Sequence, residues 1–273
     1  MEHDDQLSKT VVIAAERWSQ ALARWAIPKE ILDAAPESPW GFPPGLFAHR
    51  HAEDSREPTP SRLRAIEALG ERGEVLDVGV GGGAASLPLA AGATSITGVD
   101  QDAAMLATFA EAATAAGIRH NEVVGSWPAV APEVPVADLV VCHNVLYNIP
   151  DLPPFIRALT EHARRRVVVE LTQRHPTYDL NPLWRHFHGI TFPDEPSADD
   201  ALAVVREIGL RASIERWARP HSARWGDRQA MVAFVRRRLR LPKEKDAEVD
   251  RLLGPNWSMQ PRRVATIWWE ADA

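Results

Sequence analysis

The stretch of the 273-residue chain best equipped for chemistry runs Glu74-Val75-Leu76-Asp77-Val78-Gly79-Val80-Gly81-Gly82-Gly83. An apolar run with strand character passes into glycines and then into residues 84–91, which read as a helix. Glycines let a backbone approach a ligand closely, and a helix N-terminus offers unpaired N–H groups. Gly79, Gly81 and Ala84 satisfy the dinucleotide pattern Gly-x-Gly-x-x-Gly/Ala, so the spacing alone admits a nicotinamide cofactor. Asp77 changes the balance. Its carboxylate, two residues before the first glycine, faces the place of a pyrophosphate and repels it. A ligand with an ammonium group and a sulfonium centre is attracted instead. A second acid, Asp100 in Gly98-Val99-Asp100, follows at the spacing from which a strand-tip carboxylate reaches ribose hydroxyls.

S-adenosylmethionine carries both cationic groups. The motifs Asp77-x-Gly79-x-Gly81-x-Gly83, Gly98-Val99-Asp100 and Asp138-Leu139-Val140-Val141-Cys142-His143-Asn144-Val145-Leu146 together resemble the class I S-adenosylmethionine-dependent methyltransferases over roughly residues 61–171. The resemblance implies a seven-stranded sheet with an antiparallel last strand, and S-adenosylmethionine as methyl donor. It also implies that Asp77, Gly79, Gly81 and Gly83 hold the methionine part, that Asp100 binds the ribose, and that Gln101 lies beside the adenine. After the third strand the family often has an acid for the adenine amino group. Here Ser126 stands in its place, with Trp127 next to it as a candidate adenine wall. His143 is expected to line the methionine pocket through its backbone.

Acceptor candidates follow from position. The fourth strand delivers His143-Asn144-Val145-Leu146-Tyr147-Asn148 to the edge where open α/β sheets bind ligands. This is not the Asn/Asp-Pro-Pro-Tyr/Phe motif of amino methyltransferases. The fifth strand runs into a segment rich in His175, Tyr178, Trp184, Arg185, His186 and His188. A histidine can take a proton from a hydroxyl, an arginine can fork an anion, and aromatics supply apolar walls. His186, His175 and Tyr147 are therefore the catalytic candidates, and Tyr178, Trp184, Arg185 and His188 the substrate contacts. No acid-plus-histidine motif supports a metal. Trp40, Phe47 and His49-Arg50-His51 are further candidates for the pocket wall.

These residues need elements to position them. Leu7, Val11, Ala14, Trp18, Leu22 and Trp25 make one helical stripe over 5–26, and residues 29–35 add a turn. Six prolines mark 36–60 as a linker. The first 60 residues read as a helical cap and linker, and 61–273 as the catalytic domain. Ser61 reads as the N-cap of a helix at 62–70. Strands at 74–78, 95–99, 121–124, 137–142 and 166–171 alternate with helices at 102–116 and 152–163. Continuous apolar strands alternating with helices predict a doubly wound, mostly parallel α/β sheet covered on both faces. Further helices at 198–209, 228–240 (capped by Asp227) and 243–253 and strands at 212–217 and 264–269 complete it, with a helical insertion before the last strand.

Composition narrows the function. Lysines and arginines number 31 against 37 acids, a net charge of −6. A face built to neutralise a polyanion normally shows in that balance. A small molecule is the expected acceptor, with oxygen as the expected atom. An RNA methyltransferase, a non-catalytic S-adenosylmethionine-binding protein and an NAD(P) oxidoreductase are the alternatives. Cys142 is alone, which excludes an internal disulfide and a cysteine-based zinc site. The acidic start lacks the charge of a signal peptide, and no apolar run reaches the ~18 residues of a membrane span. A cytoplasmic location is expected.

Overall fold

The computed structural model describes residues 2–37, 58–219, 228–255, 257 and 261–271, with side chains from residue 13 onward. Helices α1 (Glu2–Ala23), α2 (Lys29–Asp33) and α3 (Pro60–Leu69) precede strand β1 (Gly73–Val78). Then come β2 (Ala93–Asp100), α4 (Ala103–Ala115), β3 (His120–Val124), β4 (Ala137–His143), α5 (Leu152–Glu161) and β5 (Ala163–Thr172). The chain continues through α6 (Asn181–His188), α7 (Ala198–Glu207), β6 (Ser213–Arg219), α8 (Arg228–Arg238), α9 (Asp246–Leu253) and β7 (Arg262–Glu270). The seven strands form one sheet in the order β3-β2-β1-β4-β5-β7-β6. β7 runs antiparallel to both β5 and β6, and the remaining pairs are parallel.

Each face of the sheet is covered, which is why its strands are apolar almost throughout. Val75, Leu139, Val141 and Val168 pack with Leu69 of α3 and Phe109 of α4. On the other face Leu76, Val78, Val140, Val167 and Val169 pack with Phe155 of α5 and Val204 of α7. Trp18 of α1 joins this second cluster, and its indole N–H donates to the Ile149 carbonyl at 2.7 Å. The amphipathic first helix therefore packs on the α5/α7 layer. A third cluster gathers Trp25, Leu183, Trp184, Phe192, Met231, Val235 and Val249, tying α6 to α8 and α9.

Two local readings are corrected. Residues 84–91 are not an α-helix: turns lead into a single 3-10 turn, Leu87–Leu89. Gly82 and Gly83 make a helical start entropically costly, and Pro88 removes an amide donor. The cap of α3 is Thr59, whose hydroxyl accepts from the Arg62 amide at 3.2 Å. Ser61 lies inside the helix and is buried, for a reason that the site supplies. Asp102 caps α4, accepting from the Ala104 amide at 2.8 Å. The proposed cap Asp227, and Trp40, Phe47 and His49-Arg50-His51, lie outside the described residues. No helix among the described residues is long and apolar enough to cross a membrane.

Candidate functional site

The strand order reverses between β1 and β4, and a crevice opens at such a switch point beyond the carboxyl ends of the strands. Register decides what faces it. Asp77 pairs with Gly98 on β2 and with Val141 on β4. His143, two residues beyond Val141, pairs with Glu170, and Glu170 pairs with Thr266. Side chains alternate along a strand. Asp100, Asp77, His143, Glu170 and Thr266 therefore all project from one face of the sheet, the face roofed by α3.

The glycine turn sits over the β1 end of this row. Gly81 has φ 52°, and a Cβ added there meets no atom within 4 Å, so the backbone borders open space. Its amide donates to Asp100 Oδ2 at 2.9 Å, and Asp100 Oδ1 accepts from the Asp102 amide at 3.0 Å. Gly79 and Gly83 also have positive φ, and both are hemmed in by side chains. Asp77 is 0% exposed. Ser86 donates to its Oδ2 at 2.6 Å, while Oδ1 has no hydrogen-bond partner. Burial, with a smaller push from the Asp100 charge, raises the Asp77 carboxyl to about 7. A buried acceptor with no donor, beside a second carboxylate and an open glycine turn, suits a cationic ligand that supplies the missing charge. Gln101 and Ser126 stand together at the tips beyond, with the serine hydroxyl 3.5 Å from Gln101 Oε1.

Toward β5 the row carries the residue that sequence reasoning passed over. Glu170 is 2% exposed, and its carboxylate accepts hydrogen bonds from two other elements. Ser61 of α3 donates to Oε2 at 2.8 Å, and Arg219 of β6 donates to Oε1 at 2.7 Å. The Ser61 and Thr266 hydroxyls lie 2.6 Å apart, and the Trp217 indole donates to Thr266 at 3.0 Å. His143 Nδ1 stands 4.0 Å from Glu170 Oε2. One signal was available: an acid inside the apolar run Val167-Val168-Val169-Glu170-Leu171 has no place there unless something pairs with it.

Comparison with known proteins agrees with this geometry. Residues 75–166 match the family model described as Methyltransferase domain. The YcgJ protein of Bacillus subtilis superposes with a TM-score of 0.52 at 16% identity, over 77% of this chain and 97% of its own. A proposed sarcosine dimethylglycine methyltransferase from Galdieria sulphuraria gives 0.52 at 16% identity, over 89% and 96%. A proposed methyltransferase from Bacillus halodurans C-125 gives 0.50 at 16%, over 77% and 96%. At such identities these structures speak to the fold. No curated protein matches the chain in sequence. Residues 75–166 thus match a methyltransferase domain, and the seven-stranded sheet that holds them shares the fold of these structures.

In this methyltransferase the other sequence candidates fall into different places. Trp127 is buried in the cluster on the face opposite Asp77, with its N–H 3.4 Å from the Phe155 carbonyl. It occupies a core position under α5. Tyr147 is buried, donates to the Thr172 carbonyl at 2.8 Å and stacks on Trp18, and burial pushes its hydroxyl above the usual range. His175 stacks on Trp25 at 3.9 Å between ring centroids, and burial holds it down to about 4. Neither is set up as a base: one proton is held too tightly, and the other nitrogen is too weak an acceptor.

The α6 segment turns its equipment inward or to solvent. Trp184 is buried in the third cluster. His188 Nε2 bonds the Leu239 carbonyl at 2.7 Å, and His186 Nε2 bonds Glu248 of α9 at 2.9 Å. Arg185 donates to the Thr191 hydroxyl at 3.1 Å, and Tyr178 lies under the Arg174 guanidinium at 4.5 Å. The partners of His186 and His188 belong to α9 and the turn after α8, and Trp184 packs on His188 and Phe192. The segment's histidines and aromatics thus take part in the docking of α6.

Proposed function

We propose that this methyltransferase acts on a small-molecule acceptor and methylates it at oxygen, with the acceptor seated at the tips of β4 and β5. Bound S-adenosylmethionine supplies an electrophilic methyl group on a sulfonium. In this reading the glycine turn and Asp77 hold the methionine end, Asp100 takes the ribose hydroxyls, and Gln101 and Ser126 border the adenine. Catalysis by the chain is mainly alignment of the two reactants and exclusion of water, from which well-oriented systems gain ~7–11 kcal/mol.

The observation that carries the small-molecule reading is that the run Arg164-Arg165-Arg166, and Arg236, are paired with acids of the chain itself. Arg164 pairs with Glu74 at 2.8 Å, Arg165 with Asp138 at 3.7 Å and Arg166 with Glu67 at 3.1 Å. Arg236 is buried between Glu37 and Asp246. Arginines spent on internal acids are poor phosphate ligands, since each phosphate contact must replace a counterion. The polar row at the strand tips is inward-facing and roofed by α3, which fits a compact acceptor. A screen of phenols, carboxylic acids and amines for S-adenosylhomocysteine release tests this, with cellular RNA as the competing acceptor. Turnover with a hydroxyl or carboxylic acid is expected. Methylation of RNA alone would overturn the reading.

A further inference from the structure

Resting on that small-molecule reading, we propose that His143 is the catalytic residue that takes the acceptor's proton, and that Glu170 is the positioning residue that holds it. The acceptor must then present its nucleophile in protonated form, as a hydroxyl.

Topology places His143 where the reaction has to occur. The glycine turn and Asp100 belong to the β1 and β2 side of the switch point. The next strand tip across the crevice is that of β4, and His143 is its last residue. It shares a sheet face with Asp77, one strand away and two residues further toward the edge. The tip is pinned. Asn144, the following residue, has φ 60°, a conformation asparagine tolerates better than most. Its amide donates to the Glu170 carbonyl at 2.7 Å.

Charge does the rest. A separation of 4.0 Å between Nδ1 and Oε2 is too long for a hydrogen bond from a neutral imidazole, but it is an ion-pair distance once the ring is charged. Glu170 therefore favours His143 most after the proton has arrived, which is what a base in a transition state needs. Burying a carboxylate costs several kcal/mol unless it is paired and hydrogen-bonded. Arg219 pairs with the Glu170 carboxylate at 2.7 Å and Ser61 donates to it at 2.8 Å, which offsets that cost. Among the described residues, the charges in this row are Glu170 beside His143, Arg219 behind Glu170 on β6, and Asp77 on β1. A ring that turns Nδ1 toward Glu170 presents Nε2 on its opposite side.

The step balances with these groups alone. The new bond joins the acceptor oxygen to the methyl carbon, and the sulfonium S–CH₃ bond breaks with its electron pair left on sulfur. The acceptor O–H bond breaks and its proton passes to Nε2 of His143. The cationic charge moves from sulfur to the imidazolium, beside Glu170, and is lost to water after product release.

The test uses the full-length protein saturated with S-adenosylhomocysteine and carrying isotope-labelled histidine. His143 is assigned by its absence in His143→Gln, a change at a side chain that is 17% exposed. Its titration is then followed by NMR in wild type and in Glu170→Gln. The proposal expects the His143 pKa to fall by about one unit in Glu170→Gln. An unmoved pKa overturns it. With an acceptor from the screen, His143→Gln should lower kcat by about 10²-fold or more while leaving S-adenosylhomocysteine affinity unchanged. The wild-type rate should also fall as pH drops through the pKa that NMR reports for His143. Full activity in His143→Gln overturns the proposal, even if Glu170→Gln fails to fold, and leaves the small-molecule reading standing. A screen with no turnover on any small molecule defeats that broader reading instead.

Discussion

The Gly81 amide and the Asp100 carboxylate meet at 2.9 Å, so the turn after β1 and the tip of β2 are one unit rather than two separate binding elements. Asp100→Ala removes acceptors for both the Gly81 and Asp102 amides. It should cost the free protein about 1 kcal/mol and weaken S-adenosylhomocysteine by about 10–100-fold, since charge-assisted bonds are worth ~1.5–3 kcal/mol each. Thermal melts with and without ligand, beside calorimetric titration, separate the two effects.

The glycines of the turn should fail in different ways. Gly81→Ala meets open space, and its backbone at φ 52° costs about 1–2 kcal/mol for a side-chain residue. The variant should fold, melt somewhat lower and bind S-adenosylhomocysteine at least tenfold more weakly, because its methyl occupies the ligand's space. A Cβ at Gly79 would stand 2.3 Å from Val145 Cγ2, so Gly79→Ala should be far less stable and expose its defect before any ligand is added. Denaturant titration of the two variants makes the comparison.

Asp77 links ligand affinity to pH. Its carboxyl is raised to about 7 in the free protein, and a cationic ligand favours the carboxylate, so binding should expel a proton. Affinity for S-adenosylmethionine should rise roughly tenfold between pH 6 and pH 8 and flatten above that. Stability has the opposite sign. With the folded pKa above the unfolded one, Asp77's contribution is fully present at low pH and is lost as pH rises through about 7. Asp77→Asn should remove both dependences. Calorimetry in buffers of different ionisation enthalpy counts the proton.

The aromatic seam should matter for stability and not for ligand. Trp25 stacks on His175 and Phe192, and its indole donates to the Glu195 carbonyl at 2.7 Å. Trp25→Ala should cost ~3–5 kcal/mol. With water admitted, the His175 pKa should climb from about 4 toward its ordinary value, which NMR can follow. His186→Ala should leave turnover and its pH profile unchanged, since His186 is 43% exposed and faces Glu248 on α9.

The sheet was legible because its signals are local: apolar runs of strand length, helix stops such as Gly117, and the glycine turn flanked by Asp77 and Asp100. The acceptor side was not, because it is assembled from distant pieces. Ser61, Glu170, Arg219 and Thr266 come from α3, β5, β6 and β7, and no spacing in the sequence joins them. Ser61 was legible only as a cap, a role its neighbour Thr59 takes. The α6 segment misled for a related reason. Histidines and aromatics read as site chemistry when the docking partners, α8 and α9, lie about forty or more residues downstream. Trp127 carried the same ambiguity, and core packing under α5 resolved it.

The central claim is that the crevice between β1 and β4 binds a cationic adenosyl ligand and not a dinucleotide. Isothermal titration of the full-length protein at pH 8 with S-adenosylmethionine, and separately with NAD, tests it most directly. One-to-one binding of S-adenosylmethionine is expected, weakened in Gly81→Ala, with NAD binding at least a hundredfold weaker. Tight NAD binding with no response to S-adenosylmethionine would contradict it.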